Sequence, residues 1–365
     1  MMDFCNSKCD CKKVKPDTEA IFISSRIRLA RNVAGEFFPS RNSAPERRAI
    51  MEGCVAALSG VRKFQSGQFL NLEELEPSDL EILVERNMMS RELANAEGAR
   101  GVYVGSDCSS SVMINEEDHL RIQVLERGLC LESLWKKIDS LDNQIERRLP
   151  YAYSGRYGYL TACPTNTGTG MRASVMMHLI GLSMDGQIDP VIRGLTHMGM
   201  VARGSNGEGS DPAGSFYQVS NQQTLGFAER DIVEKMTHMC VKLGEFETNA
   251  RLKLLEDKPE FVCDKIARAW AVLDSCRVIS SAEAVECLSA LRLAADLGFM
   301  PAKNKIVIDT MLLEVRPAHL ERDFGRPGMD APARDILRAE VLKESLKSLR
   351  KPKFSKFSGP SKKAD

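Results

Sequence analysis

Three consecutive acidic residues, at positions 116–118, lie between two apolar runs, and this arrangement constrains the fold more than any other feature of the sequence. Residues 111–114 (Ser-Val-Met-Ile) have the character of a strand. In residues 120–124 every second side chain is apolar, which is the period of a half-buried strand. The sequence therefore predicts two extended segments joined by an acidic bend. Such a bend is either a solvated hairpin tip or a functional loop.

The composition excludes several classes of protein. The 365 residues are 43% hydrophobic, which is enough for a large core and for more than one domain. Fifty basic residues balance fifty acidic ones, so no general field favours nucleic acid or an anionic membrane. No apolar run is long enough to cross a bilayer, and the first residues lack the hydrophobic region of a signal peptide. We therefore expect a cytoplasmic protein with no membrane partner and no direct nucleic-acid partner.

The eleven cysteines are expected to be reduced, because most lie in apolar helical patterns and their number is odd. Cys5, Cys9 and Cys11 form a separate array in a polar N-terminal segment, residues 1–19. Three thiols could hold zinc with a fourth ligand from elsewhere, but the spacing is not that of a standard zinc finger. A flexible tail is the favoured interpretation. We therefore assign no metal ligand.

Two arginines share an extended segment near the start of the chain. Residues 20–23 predict a strand that continues through Ser24 towards Asn32, and alternation places Arg26 and Arg28 on one face of it. Two guanidinium groups on one face repel each other unless an anion bridges them, and phosphate oxygens match their planar forks. The pattern indicates a phosphate site, with two surface arginines on an edge strand as the alternative.

Residues 159–172 combine glycines and hydroxyl side chains with one thiol, Cys163, and one arginine, Arg172. Such a segment can expose backbone N–H groups to an anion, although it lacks the terminal Gly-Lys-Ser/Thr of a P-loop. The apolar residues that follow, 173–182, predict a helix with Arg172 at its head. Cys163 could also be a small buried hydrophobic residue.

A third stretch, residues 203–211, carries Arg203 and Glu208 and contains three glycines, which predict a mobile loop of the kind that closes over substrates. Elsewhere the patterns predict helices over residues 44–98, 129–149 and 227–247 and strands over residues 101–104 and 215–221.

The C-terminal part of the chain has a different character, because its patterns after residue 256 are helical. One helix is predicted over residues 281–297, begun by the capping pair Ser280 and Glu283. Arg334 and Arg338 lie four residues apart and so share a helical face. The last segment, residues 343–365, is basic and predicts disorder.

Together these motifs resemble those of the phosphagen (guanidino) kinases and, in detail, of the bacterial protein arginine kinases. The resemblance rests on Asn-Glu-Glu-Asp-His-Leu-Arg at 115–121, Ser-Ser-Arg-Ile-Arg-Leu-Ala-Arg-Asn at 24–32, Cys-Pro-Thr-Asn-x-Gly-Thr at 163–169 and Arg-Asp-x-x-Arg-Ala at 334–339.

The resemblance implies an α+β fold. Residues 20–256 would form a phosphagen-kinase (glutamine-synthetase-like) catalytic domain, in which helices flank an antiparallel sheet. Residues 257–342 would form a small helical domain for dimerisation and phosphoarginine sensing, between the N-terminal tail, 1–19, and the disordered tail, 343–365.

A role for each matched residue also follows from the resemblance. The catalytic residues would be Glu117 and Glu208, which hold the guanidinium and take up its proton, and Cys163, which lies beside it as a thiolate. ATP phosphates, with Mg²⁺, would be bound by Ser24, Arg26, Arg28, Arg121, Arg172 and Arg203. Phosphoarginine would bind as an allosteric activator to Arg334, Asp335 and Arg338.

The implied activity is phosphorylation of arginine side chains of proteins, which marks them for degradation by a ClpC–ClpP-type protease or regulates repressors. The implied partners are protein substrates with exposed arginine, a zinc-bearing McsA-type activator, a ClpC-type unfoldase and a second copy of the chain in a homodimer. A free-arginine kinase is the main alternative. The twenty-three residues before Ser24 are too few for the helical domain that the metabolite guanidino kinases carry there, so we expect an open acceptor site. An inactive scaffold that binds phosphoarginine is the third possibility.

Overall fold

The computed structural model describes residues 20–204 and 213–354. Their contacts divide the chain into two compact units. The first consists of Met1–Met177, Ile192–Ala202 and Gln218–Lys242, and the second of His178–Val191, Arg203–Tyr217 and Leu243–Asp365. Among the described residues no helix is long and apolar enough to cross a membrane.

The main β structure of the described residues is an eight-stranded sheet with the strand order β2-β3-β4-β5-β1-β8-β10-β9, and β6 and β7 form a separate hairpin. The pairings from β2 to β8 are antiparallel. The strands are β1 (Phe22–Arg31), β2 (Gln68–Asn71), β3 (Gly101–Val104), β4 (Ser110–Ile114), β5 (Leu120–Arg127), β6 (Tyr153–Ser154), β7 (Gly158–Tyr159), β8 (Met171–His178), β9 (Met200–Gly204) and β10 (Phe216–Asn221).

The helices are α1 (Ala44–Ser59), α2 (Pro77–Glu85), α3 (Arg91–Asn95), α4 (Leu131–Glu146), α5 (Ile180–Met184), α6 (Ile188–His197), α7 (Glu229–Asp257), α8 (Pro259–Ser275), α9 (Ser281–Asp296), α10 (Asn304–Glu314), α11 (Pro317–Asp323) and α12 (Ala331–Leu346). The fold class predicted from the resemblance, an α+β catalytic domain with an antiparallel sheet and a C-terminal helical domain, is confirmed.

Strand β1 lies in the middle of the sheet and explains why the predicted alternation matters. Ile27 and Leu29 are fully buried and face the core, so the residues between them face the opposite side. Helix α4 covers β1 and β5 with an apolar stripe at helical spacing, which buries Leu134, Ile138 and Ile145. The strand therefore has one face sealed by a helix and one face free to carry charge.

The acidic stretch is the bend that the sequence predicts. It joins β4 to β5, which pair antiparallel from Ile114 and Leu120 onwards. The predicted strands over residues 20–32, 101–104 and 215–221 correspond to β1, β3 and β10.

Two predicted helices are wrong over part of their length, and a third ends later than predicted. Residues 173–182 do not form one helix, because residues up to His178 belong to strand β8, which pairs with β1, and only the short helix α5 follows. An apolar run of this length fits a buried strand as well as a helix, and the partner strand decides between them. Residues 44–98 are not all helical either, since β2 pairs with the edge of β3. Helix α7 continues to Asp257, beyond the predicted end at residue 247.

The second unit has a helical core in which α9 packs against α8 and α10. The Ser280 side chain accepts a hydrogen bond from the Glu283 N–H, so the predicted start of α9 is confirmed. Helix α12 continues to Leu346, Leu349 is buried, and the ring of Phe354 packs 5.3 Å from that of Phe299. Residues 343–354 therefore pack against this unit, so the prediction of disorder is wrong for them. The predicted domain boundaries stay predictions.

Candidate active site

Four arginines form a patch on one face of the sheet. Arg172 on β8 lies opposite Arg28 on β1, and Arg121 on β5 lies opposite Ala30. Residues directly opposite each other share a face, as do alternate residues of one strand, so Arg26 joins the same patch. Ser24 has the same parity on β1 and lies on this face as well. The structure thus brings together five of the six residues predicted to bind nucleotide.

The guanidinium groups of the patch lie close enough to repel one another. Burial, followed by the charges of Arg121 and Arg172, lowers the pKa of Arg26 to about 10. Burial and the three neighbouring guanidinium groups also lower the pKa of Arg28 well below its usual value. The buried Arg28 Nε has no hydrogen-bond partner among the described residues. Such a patch fits a polyanion, whose negative charges would offset the repulsion and whose oxygens would accept a hydrogen bond from Arg28 Nε.

Glu116 is a site residue that has no role among the sequence predictions. Its carboxylate accepts hydrogen bonds of 2.8 and 2.7 Å from Arg121 Nη1 and another from Ser90 Oγ, and its side chain is 5% exposed. Glu116 also partly compensates the charge of Arg28. It therefore orients Arg121 at the edge of the patch. Its place in the acidic triplet was the available signal.

The acidic loop is held by Asn115, whose backbone has φ 58°. Asparagine adopts this left-handed conformation more readily than other non-glycine residues. The Asn115 side chain is buried and donates to Arg47 O and Ala99 O, and its N–H donates to His119 O at 3.0 Å. This tight turn projects the carboxylates that follow it.

Glu117 lies beside Cys163. Burial raises the pKa of the Glu117 carboxyl, the neighbouring charge of Asp118 raises it further, and a hydrogen bond from the Cys163 side chain opposes the rise. Cys163 is half-buried, and its Sγ lies 3.0 Å from Thr165 Oγ1. Two of the three predicted catalytic residues are thus in contact, and one of them is a carboxylate suited to accepting a proton.

Asn32 and Asp118 join the two loops that carry this pair, and sequence reasoning missed both. Asp118 Oδ1 accepts hydrogen bonds of 2.7 Å from Asn32 Nδ2 and from Ala162 N. Asn32 also donates to Leu160 O and accepts from His119 N. Both side chains are nearly inaccessible, at 1% and 4% exposure. Their hydrogen bonds connect the acidic loop to the segment that leads into Cys163.

The other predicted residues come from other segments of the chain. Arg203 is half-buried on β9, in a part of the chain that clusters with the second unit. Glu208 lies outside the described residues, as do Cys5, Cys9 and Cys11. No group of three or more His, Cys, Asp or Glu side chains within the described ranges is arranged to hold a metal ion.

The predicted phosphoarginine residues cluster on α12. Arg334 Nη1 donates to Glu321 Oε1 at 2.8 Å and to Met329 O at 2.7 Å. Arg338 is 1% exposed and donates to the backbone oxygens of Val315 and Ile279. Arg338 also forms an ion pair with Asp335.

Comparison with known proteins defines the class to which this fold and this site belong. Residues 49–250 match the family described as ATP:guanido phosphotransferase, C-terminal catalytic domain. The fold is similar to that of lombricine kinase, with a TM-score of 0.58 and 26% identity over 66% of this chain and 70% of that one. It is also similar to the duplicated taurocyamine kinase from Schistosoma mansoni with bound transition state analog components, with a TM-score of 0.58 and 28% identity over 63% of this chain and 33% of that one. The protein is a guanidino phosphotransferase that uses ATP.

The C-terminal domain narrows the class further. Residues 259–357 match the protein-arginine kinase McsB C-terminal domain. The protein-arginine kinase of Syntrophomonas wolfei is 39% identical over 331 residues, which cover 90% of this chain and 92% of the relative. That of Geobacillus stearothermophilus is 39% identical over 330 residues, which cover 90% of each chain. The chain belongs to the protein-arginine kinase family.

Proposed function

We propose that this protein transfers the γ-phosphoryl group of ATP to the guanidinium of arginine side chains in proteins. The observation that carries the proposal is the arginine patch on β5, β1 and β8, next to a loop that brings Glu117 into contact with Cys163. The arginine patch suits ATP, the phosphoryl donor, and the Glu117–Cys163 pair suits the guanidinium, the phosphoryl acceptor.

On the donor side, the arginine patch binds the triphosphate and stabilises the charge that spreads over the transferred group. Arg26, Arg28, Arg121 and Arg172 do this from fixed positions on three paired strands. We propose that Arg203, from β9, also binds phosphate. Mg²⁺ takes oxygen ligands and keeps several of them from phosphates and water, so its binding with ATP needs no cluster of three protein carboxylates. Bound with ATP, Mg²⁺ would neutralise charge on the phosphates.

On the acceptor side, a guanidinium has a pKa far above neutral pH, so its nitrogen attacks only after losing a proton. Glu117 accepts that proton, helped by its raised pKa. The nitrogen lone pair then forms the N–P bond while the bond from the γ-phosphorus to the ADP oxygen breaks. We propose that Glu208 is the second carboxylate that holds the guanidinium fork and that Cys163 lies on its remaining side.

The biological setting also belongs to the proposal. We infer a cytoplasmic homodimer that marks client proteins for a ClpC–ClpP-type protease or regulates repressors, works with a McsA-type activator, and is activated by phosphoarginine at Arg334, Asp335 and Arg338. The match of the C-terminal domain supports this inference. At Arg334, phosphate would compete with the carboxylate of Glu321, while Arg338 is already held by backbone oxygens.

A kinase assay with two acceptors tests the proposal. Free L-arginine and a loosely folded basic protein are offered in parallel with Mg-ATP, and acid-labile phosphate is measured on each. We expect acid-labile phosphate on the protein acceptor and on the enzyme itself, with free arginine unlabelled. Labelling of free arginine alone would establish the alternative, a metabolite arginine kinase. Nucleotide binding without phosphoarginine on any acceptor would indicate a binding scaffold.

A further inference from the structure

The segment that carries Cys163 is held by hydrogen bonds both before and after the cysteine. Before the cysteine, Ala162 N–H donates to Asp118. After it, the hydroxyl of Thr224 lies 2.8 Å from both Thr165 O and Thr167 O and shares its proton between them. Thr224 is 5% exposed, follows strand β10 and lies 59 residues from Thr165.

The backbone of Thr224 contacts the same segment. Its carbonyl oxygen accepts from Thr169 N at 3.3 Å and from Thr169 Oγ1 at 3.4 Å. A Cβ atom at Gly168 would come within 2.6 Å of that oxygen, so the close approach requires glycine there. Thr224 therefore forms the wall against which residues 165–169 pack.

The position of Thr224 is itself fixed to the sheet. Asn221, the last residue of β10, accepts from Ala173 N and donates to Met171 O and to Gln223 O. These bonds hold the turn before Thr224 to strand β8, which carries Arg172. The wall and the arginine patch are thus parts of one hydrogen-bonded structure.

Two hydroxyl contacts lead from this wall to the thiol. Thr165, whose carbonyl Thr224 binds, places its own Oγ1 3.0 Å from Cys163 Sγ. Thr167, whose carbonyl Thr224 also binds, contacts Thr161 Oγ1 at 3.0 Å, and Thr161 donates to Cys163 O at 2.7 Å. The side chain of Cys163 is linked to Thr224 through Thr165, and the carbonyl oxygen of Cys163 is linked to it through Thr161 and Thr167.

We propose that Thr224 is a positioning residue, whose hydroxyl fixes the segment after Cys163 so that the thiol stays beside Glu117 and in contact with Thr165. The part of the inference that concerns turnover rests on the proposed function, whereas the part that concerns the thiol does not. Thr224 acts only through its contacts with residues 165–169.

Substitution of Thr224 tests the proposal. Thr224→Val keeps the shape and removes the hydroxyl, Thr224→Ser keeps the hydroxyl, and Thr237→Val removes a hydroxyl that bonds only within α7, to Val233 O. One readout is the rate at which iodoacetamide alkylates Cys163, followed by mass spectrometry of the peptide that contains it. The other is kcat with a protein acceptor, together with the KM for ATP.

We expect Thr224→Val to slow alkylation of Cys163 and to lower kcat, each about fivefold, because a hydrogen bond contributes about 1 kcal/mol. A hydroxyl that donates to the sulfur stabilises the negative charge that develops as the thiol reacts, and the loosened segment loses this contact. The KM for ATP stays within about twofold of wild type. The Thr224→Ser and Thr237→Val variants match wild type in both readouts.

Alkylation of Cys163 at the wild-type rate in Thr224→Val overturns the proposal, whatever happens to turnover. A slowed rate that Thr224→Ser shares also overturns it, because the hydroxyl would then not be responsible. If the valine variant melts early, Thr224→Ala replaces it in the same comparison. Absence of kinase activity in every chain, wild type included, would refute the proposed function, while the alkylation rates still decide the role of Thr224.

Discussion

Asp118 Oδ1 accepts a 2.7 Å hydrogen bond from the N–H of Ala162. Asp118 directly follows Glu117, and Ala162 directly precedes Cys163, so this bond holds the carboxylate and the thiol of the site in contact. As the next residue in the chain, Asp118 also places a second negative charge close to Glu117. Asp118 therefore has two separable effects, one on geometry and one on acidity.

Asp118→Asn should extend activity to lower pH. Burial and then the charge of Asp118 raise the pKa of Glu117, and the amide removes the second cause while keeping an oxygen for Ala162. A proton acceptor stops working as the pH falls through its pKa, so a lower pKa moves the acidic limb of kcat/KM to lower pH. The measurement is the pH profile with a protein acceptor. Asp107→Asn, at an exposed ion pair with Lys63, is the control and leaves the limb in place. An acidic limb that stays at the same pH or moves to higher pH in Asp118→Asn would refute this effect of Asp118 on Glu117.

Arg28→Met should weaken nucleotide binding and stabilise the nucleotide-free protein. Arg28 is half-buried, and burial of its guanidinium followed by the like charges around it lowers its pKa and disfavours its charged form in the fold. Its removal relieves that repulsion but deletes charged hydrogen bonds to phosphate, which contribute about 1.5–3 kcal/mol. We expect about 10- to 100-fold weaker Mg-ATP binding by calorimetry and a higher melting temperature without nucleotide. The exposed Arg62 is the control, and its replacement by methionine changes neither quantity. A less stable Arg28→Met protein with normal ATP affinity would show that Arg28 is structural.

Arg31 shows what a structural arginine in the same motif looks like. It is 1% exposed, donates to Asp142 Oδ2 at 3.1 and 2.7 Å, and stacks 3.5 Å from the ring centre of Tyr159. Asp142→Asn leaves this guanidinium buried without its counter-charge, which costs about 3–5 kcal/mol of unfolding free energy. Urea unfolding measures the loss. Asp139→Asn, exposed on the same helix α4, is the matched control. Equal stability of the two variants would contradict the prediction.

Local sequence patterns predict much of the fold. The alternation around Arg26 and Arg28 predicted one charged face of a strand, and β1 has it because Ile27 and Leu29 occupy the other face. The bend of acidic residues and the capped start of α9 were also local signals. The sequence does not identify strand β8, because a short apolar run is compatible with a strand and with a helix until its partner strand, β1, is known.

What the sequence could not show is contact between distant residues. Asn32 and Asp118 are 86 residues apart, and neither motif indicates that the two side chains meet. The hold of Thr224 on residues 165 and 167 is likewise a product of the fold. The sequence thus indicated the residues proposed to bind substrates, but not those that hold them in place, because such contacts exist only once two distant segments are brought together.

Comparison of Glu117→Gln with Glu126→Gln tests the proposed role of Glu117 most directly. Glu126 lies on β5, the strand of Arg121, and its carboxylate pairs with Lys137 of α4. Mg-ATP affinity and phosphoryl transfer to a protein acceptor are measured on the same preparations. We expect Glu117→Gln to bind Mg-ATP within about twofold of wild type but to transfer phosphoryl at least about 100-fold more slowly, because it lacks the proton acceptor. Glu126→Gln should resemble wild type in both. Wild-type transfer by Glu117→Gln would contradict the account.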